Sequence, residues 1–167
     1  LLYADGAPIW AAPALVAGKT GTNSFTLGQP KVLECSGGYW VGWSPNFQGG
    51  SPVVAVNRVD ADGNVLGGFN GMNLPNSGYG SMRMLPDGAD GVFFVWAAAN
   101  ALGTSIRVQR VLANGSVAWA GNAVPTAGTT GIDSYYSAVS DGSGGVVIVW
   151  QSSGNDILAA RVDGSGA

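Results

Sequence analysis

The sequence has no histidine, a single cysteine and few charged residues, and each shortage excludes a class of function. Without histidine there is no Ser-His-Asp or Cys-His catalytic centre and no His-ligated zinc. Because the lone Cys35 has no histidine to activate its thiol, we interpret it as a small turn residue, and it excludes an internal disulfide. The 7 Lys and Arg residues form no cluster and are outnumbered by 10 Asp and Glu residues, which excludes a typical nucleic-acid partner.

Long apolar runs are also missing. No stretch approaches the roughly 18 residues that a membrane-spanning helix requires, so we predict no membrane span. A length of 167 residues with 46% hydrophobic content is enough for one domain with a core. Since the first residue is not Met, we expect a mature form or a fragment of a longer chain. We expect no cofactor and no metal.

What the chain does have is a repeat. A Gly-rich turn, a short apolar run and a closing Trp occur together three times, at 36–43, 89–96 and 143–150. The closing residues, Trp43, Trp96 and Trp150, are 53 and 54 residues apart. A fixed period of this size indicates one supersecondary unit repeated along the chain.

Other residues keep the same register relative to the closing Trp. Each copy has an acid nine positions earlier, a Gly five positions earlier, a later Arg-Val pair and then a Gly-containing turn. The acids are Glu34, Asp87 and Asp141; the glycines are Gly38, Gly91 and Gly145; the arginines are Arg58, Arg110 and Arg161. Asp-Gly and Asn-Gly turns between apolar runs are strong hairpin signals.

Each unit therefore reads as four short strands, and helical periodicity is absent, so we predict an all-β fold. The runs 92–96 and 146–150 are apolar on both faces, which is typical of strands between two packed layers. We predict a single repeat domain over 1–167, with units of roughly 11–66, 67–118 and 119–167. The chain begins and stops at the second hairpin turn of a unit, so we expect residues 1–10 to complete the last one.

The repeat resembles those of extracellular bacterial proteins in which a Gly-Gly-x-x-Val-x-Trp strand precedes an Arg-Val-x-x-x-Gly hairpin. The resemblance covers nearly the whole chain; the third copy, 141–163, matches best, and the first departs from it with Glu34-Cys35 in place of Asp-Gly. It implies blades of a β-propeller and a secreted or cell-surface location, and it implies no catalytic residues.

Closed propellers usually have about four to eight blades. Three blades would leave apolar flanks exposed, so we expect a half propeller completed as a six-blade homo-oligomer or within a longer chain. The alternative is a β-trefoil, which also has three four-stranded units; another β-sandwich or a solenoid is a further alternative. Against the trefoil, these units are longer than usual trefoil repeats.

Charged residues in a repeated register favour structure over catalysis, because an active site needs different residues converging once. We expect each register acid to cap a turn or to pair with a register Arg, and each Arg to stack on a Trp or bridge to that acid. The segment 60–64 has oxygen ligands at alternate positions, but it lacks the later Glu of a calcium loop and is interpreted as a hairpin turn.

Aromatic residues outside the register are the candidate ligand-binding residues. They are Trp40, Tyr79, Tyr135 and Tyr136. An exposed ring near Asn and Gln side chains suits a sugar, while packing between units is the alternative role for the same rings.

Two functions follow. The first is a non-catalytic extracellular module that recognises a carbohydrate or another cell-surface ligand through loops and these aromatics. The alternative is a structural or assembly segment of a larger surface protein, or a fragment of a propeller glycoside hydrolase.

Overall fold

A computed structural model describes residues 10–18, 25–47, 53–68, 70–74, 82–100, 103–120, 124–125, 135–152 and 154–167. Over these ranges the secondary structure consists of β-strands, and no helix is present, which confirms the all-β prediction. The strands are β1 (Phe25–Cys35), β2 (Gly38–Phe47), β3 (Ala55–Asp60), β4 (Met72–Asn73), β5 (Met82–Pro86), β6 (Val92–Asn100), β7 (Gly103–Val111), β8 (Val124–Pro125), β9 (Tyr136–Ser140), β10 (Val146–Gln151) and β11 (Ile157–Val162).

The strands form three antiparallel sheets, each made of strands that are consecutive in sequence. Sheet 1 has the order β1-β2-β3-β4, sheet 2 the order β5-β6-β7-β8, and sheet 3 the order β11-β10-β9. None of these sheets closes on itself. The three repeats seen in the sequence thus correspond to three sheets, with the closing Trp of each on the second strand.

The Gly that recurs five residues before each closing Trp is required by a close backbone contact. A Cβ on Gly38, Gly91 or Gly145 would collide with the carbonyl oxygen of the Val in the Arg-Val pair on the neighbouring strand. Those carbonyls belong to Val59, Val111 and Val162. Only Gly allows the two strands to approach at this point.

Two apolar cores lie between successive sheets. The first includes Trp40 and Val56 of sheet 1 with Phe94 and Trp96 of sheet 2. The second joins the opposite face of sheet 2 to sheet 3, through Phe93, Val95, Ile148 and Trp150. Both faces of β6 are therefore buried, as its apolar run predicts.

The same expectation is wrong for β10. Val146, Ile148 and Trp150 are buried, but Val147 is only half-buried and Val149 is exposed. The reason is that, in the described ranges, one face of sheet 3 packs on sheet 2 and the other has no sheet against it.

The fourth strand of the first and second units lies further along the chain than predicted. After the second hairpin turn only the single bridges Val59–Val65 and Val111–Val117 form, and the paired strands β4 and β8 follow later. These strands lie beyond the predicted unit boundaries at 66 and 118. Between the bridge at Val65 and β4, the Asn57 side chain forms hydrogen bonds with the backbone of Gly67 and Gly68.

The predicted completion of the last unit by residues 1–10 falls, except for Trp10, outside the described residues. Within the described ranges, no helix has the length and apolar character needed to cross a membrane.

Candidate ligand-binding site

The register acids of the second and third units cap the Gly-rich turn and pair with the register Arg. Asp87 Oδ1 accepts the backbone N–H groups of Ala89 and Gly91, each at 2.8 Å, and its Oδ2 pairs with Arg110 Nη2 at 2.8 Å. Asp141 makes the equivalent contacts with Ser143, Gly145 and Arg161. The prediction of capping and pairing is confirmed for these two units.

The carboxylate of Asp141 is strongly favoured in its ionised form. The backbone N–H groups of Ser143 and Gly145 lower its pKa far below the ordinary value, and Arg161 lowers it further. This acid therefore serves the turn as an acceptor.

The first unit lacks this arrangement. Its register acid, Glu34, is exposed and lies within β1, paired across the hairpin with Tyr39, so it does not cap the turn. Arg58 makes no ion pair with a carboxylate in the described part of the chain. Its guanidinium instead stacks on Trp40, 5.5 Å from the ring centroid, which confirms the predicted stacking on a Trp.

Two carbonyl oxygens hold the Arg58 guanidinium. Nη2 donates to Ser36 O at 2.7 Å, in its own unit, and Nη1 donates to Ala113 O at 2.8 Å, in the second unit. Nε is buried and has no hydrogen-bond partner among the described residues. Arg58 therefore joins two units, and its charge has no ion pair with a carboxylate among the described residues.

Each second hairpin turn offers a carbonyl to the neighbouring unit, and at two of the three turns an indole N–H binds it. Trp10 Nε1 donates to Ala61 O at 2.8 Å, and Trp119 Nε1 donates to Gly164 O at 3.3 Å. The indole rings also lie against the turn glycines, since a Cβ on Gly63 or Gly166 would be 3.1 or 3.0 Å from the ring.

The remaining turn, 113–115, accepts no indole N–H from the described residues. Trp10 and Trp119 each stand four residues after a turn Gly, and in the first unit the residue at this position is Gly67. The space that a tryptophan would fill is a cavity of about 280 Å³. We call it the Gly67 cavity; it is lined by Trp40, Val56, Asn57, Arg58, Leu66, Gly67, Met72, Ala113, Asn114 and Gly115.

Asn57 keeps Gly67 in place and the cavity open. Its Oδ1 accepts the backbone N–H of Gly67 at 2.8 Å, and its Nδ2 donates to Gly68 O at 2.7 Å. A Cβ on Gly67 would collide with Asn57 Oδ1, so a larger residue there requires a change at 57. The matching pair in the second unit is Gln109 with Trp119, joined by a bond from Gln109 Nε2 to Trp119 O.

The cavity combines apolar walls with two polar groups. Among the described residues, each of these groups lacks a partner that the equivalent group at the next junction has. Gly164 O accepts both the indole and Arg110 Nη1, whereas Ala113 O accepts only Arg58 in the described residues. A carbonyl oxygen can accept two hydrogen bonds. The second group is the Arg58 guanidinium. The cavity can therefore accept a hydrogen-bond donor and an anion.

The four predicted site residues lie in different environments. Trp40 is 2% exposed and forms part of the wall of the Gly67 cavity, while its Nε1 donates to Asp90 O. Tyr136 is 7% exposed and its hydroxyl donates to Val95 O, so it packs between sheets 2 and 3. Tyr135, by contrast, is 74% exposed and immediately precedes β9. Tyr79 lies outside the described residues.

Gly67, Asn57 and Arg58 are the site residues that the sequence interpretation missed. Gly67 carries no chemistry of its own, and Arg58 was assigned to the scaffold with the other register arginines. The signal that could have found them is the residue four positions after each turn Gly, which is Trp, Gly and Trp along the chain. The departure of Glu34 from the register Asp is the second signal.

Asp60 lies in the segment considered for calcium binding, and its carboxylate accepts hydrogen bonds within its own turn. Hydrogen bonds from the side chain and backbone of Asn64 lower its pKa, and its Oδ1 also accepts the N–H of Asp62. No cluster of three acidic, Cys or His residues that could hold a metal occurs in the described ranges. Cys35 is half-buried against the first core.

Comparisons with protein-family models, with curated proteins and with solved structures found no match for this chain.

Proposed function

We propose that this chain is a non-catalytic, extracellular binding module that recognises carbohydrate at the Gly67 cavity. The observation that carries the proposal is the cavity itself, at the position where two other junctions hold an indole ring. The proposal places the module in a secreted or cell-surface protein, in keeping with the resemblance of its repeats to those of extracellular bacterial propellers.

The size and lining of the cavity suit one sugar ring. Ligand pockets for drug-sized molecules span about 300–1,000 Å³, and this cavity, at about 280 Å³, is just below that range. Val56, Leu66 and Met72 provide apolar contact for a ring face, and Ala113 O can accept a hydroxyl group. Apolar walls with few, well-placed polar groups are typical of small-ligand sites.

A propeller-like arrangement of the sheets is part of the proposal. Its support is that sheet 1 packs on sheet 2 in the same sense as sheet 2 packs on sheet 3, with Trp40 and Phe93 at equivalent positions in the two cores. Arg58 and Arg110 also reach equivalent turn carbonyls of the following unit, at Ala113 and Gly164.

A glycan array followed by a tryptophan fluorescence titration tests the carbohydrate proposal. We expect binding of at least one oligosaccharide, with a change in fluorescence because Trp40 lines the cavity. The variant that fills the cavity combines Asn57→Gln with Gly67→Trp, which rebuilds the pair found in the second unit at Gln109 and Trp119. It should fold, as checked by circular dichroism, and lose the ligand.

An array without a binding glycan would contradict the proposal. Unchanged binding by the folded double variant would place the ligand elsewhere on the chain, with Tyr135 as the next candidate residue.

The second candidate function is assembly, and a specific observation favours it. The outer face of sheet 3 exposes Tyr135, Val139, Val149 and Ile157. The equivalent face of sheet 2, which carries Phe93, is covered by sheet 3. We propose that a sheet of a second copy covers the outer face, so that two chains complete a ring.

Light scattering of the purified chain tests assembly. We expect a dimer that Val139→Lys dissociates, because the variant places a charge in the middle of the apolar face. Ala89→Lys, at an exposed turn of sheet 2, is the matched control and should remain dimeric. A monomeric wild-type chain would contradict the assembly proposal without affecting the carbohydrate site.

A further inference from the structure

We infer that the ligand of the Gly67 cavity is acidic, specifically a sugar ring that carries a carboxylate, such as a hexuronic acid residue of a polysaccharide. The inference rests on the proposed carbohydrate function and adds the charge of the ligand to it. It is drawn from the difference between Arg58 and the two arginines in the same register.

The three register arginines differ in what neutralises them. Arg110 and Arg161 each have a carboxylate at 2.8 and 2.6 Å, supplied by Asp87 and Asp141. Arg58 has two carbonyl oxygens instead, and these satisfy hydrogen bonds without supplying a full negative charge. The unit whose register Arg has no carboxylate partner in the described part of the chain is also the unit that has the cavity.

The missing carboxylate follows from local structure. In the second and third units the register acid lies in the turn. Its side chain accepts hydrogen bonds from backbone N–H groups of that turn and from the register Arg. In the first unit β1 continues through Cys35, which pairs with Gly38, so the turn has only two residues. Glu34 is therefore part of the strand and does not stand at the turn beside Arg58.

A buried or half-buried guanidinium without a counter-ion is unfavourable, because burial removes water that would solvate its charge. Arg58 is half-buried and lines the cavity, and its Nε is buried without a partner in the described part of the chain. A ligand carboxylate would supply the charge that Asp87 supplies to Arg110. Arg binds carboxylates well because its planar N–H groups match their oxygens.

The other groups of the cavity fit the rest of a sugar acid. Ala113 O lacks the donor that Gly164 O receives from Trp119, and a ring hydroxyl can provide it. The apolar wall of Val56, Leu66 and Met72 can contact the C–H face of the ring. A hydroxylated ring with one carboxylate thus matches the apolar wall, the carbonyl and the cation together.

The experiment compares matched neutral and acidic sugars with the full chain, by calorimetry or tryptophan fluorescence at low salt. The pairs are glucose with glucuronate, and galactose with galacturonate, each also as short oligomers. We expect the acidic member of a pair to bind at least tenfold more tightly. We also expect its affinity to fall as NaCl rises, because salt screens a charge pair that is partly exposed.

Two variants of Arg58 separate the effect of its positive charge from an effect on the folded structure. Arg58→Gln should reduce the preference for the acidic sugar to less than twofold, while Arg58→Lys should keep a measurable part of it. Arg83→Gln removes an exposed charge on β5 away from the cavity and should leave the preference unchanged. Circular dichroism checks that each variant is folded; if Arg58→Gln is not, the comparison of wild type with Arg58→Lys and the salt dependence decide.

The outcomes distinguish this inference from the proposed function. Equal binding of neutral and acidic sugars would overturn the inference and leave the carbohydrate function standing. Binding of neither would overturn both. An acidic preference that persists in folded Arg58→Gln, or that does not change with salt, would show that Arg58 is not its cause and would also overturn the inference.

Discussion

Replacing Asp87 by Ala should be among the most destabilising changes to a charged residue in this chain. The Asp87 side chain is 1% exposed and accepts three N–H groups, from Ala89, from Gly91 and from Arg110 Nε, and its Oδ2 also lies 2.8 Å from Arg110 Nη2. The variant leaves two turn N–H groups without an acceptor and leaves the Arg110 guanidinium without its carboxylate. Breaking a buried ion pair in this way costs about 3–5 kcal/mol, a large part of the total stability of a domain.

Urea unfolding and thermal unfolding at pH 7, both followed by circular dichroism, measure the loss of free energy and of Tm. For a domain of this size each kcal/mol lowers Tm by about 2–4 °C, so we expect a fall of about 6–20 °C. Glu34→Ala is the matched control, because it changes the same register position where the acid is exposed and forms no ion pair within the described ranges. It should change stability by less than about 0.5 kcal/mol. The reasoning would be refuted by equal losses in the two variants, or by a loss below about 1 kcal/mol at Asp87.

Three further variants test the core, the pH dependence and the cavity. Trp96→Ala should lower the free energy of unfolding by roughly 3–5 kcal/mol, because the ring is fully buried; a loss under about 1 kcal/mol would contradict its place in the core. Since the pKa of Asp141 is lower in the folded state, the unfolded state binds more protons below about pH 4, so stability should fall there and Asp141→Asn should weaken that fall; parallel stability curves of the two proteins from pH 6 to pH 2.5 would disprove it. Trp119→Gly should open a second cavity at a cost of about 3–5 kcal/mol, without binding uronates there, because Arg110 is already paired with Asp87; uronate binding at that junction, measured by calorimetry, would contradict the role given to the missing counter-ion.

The scaffold could be predicted where a residue acts within its own unit. The Gly before each closing Trp, such as Gly91, has its reason in the adjacent strand of the same sheet, and the pairing of Asp87 with Arg110 also lies within one sheet. Such contacts recur with the period of the sequence, so a repeated pattern is enough to suggest them. The burial of both faces of β6 could likewise be predicted, because the strand contains an unbroken apolar run.

Prediction was less successful where two units meet. The run at β10 is as apolar as that at β6, yet Val149 is exposed because no sheet in the described ranges lies against it. Trp40, a candidate ligand-binding residue with packing between units as its alternative role, is buried and forms part of the cavity wall. The amino-acid composition of a strand does not show which neighbouring sheet covers each of its faces.

The amino-acid sequence by itself determined that the chain is built of β-strands in three similar units, because strand pattern, turn glycines and closing tryptophans are local and periodic. Only the tertiary structure decided where a ligand could bind. The Gly67 cavity forms between Gly67 and the turn at 113–115, nearly fifty residues later, and it exists because a side chain present at two junctions is missing at the third. A missing contact becomes a cavity only when folding brings its two sides together.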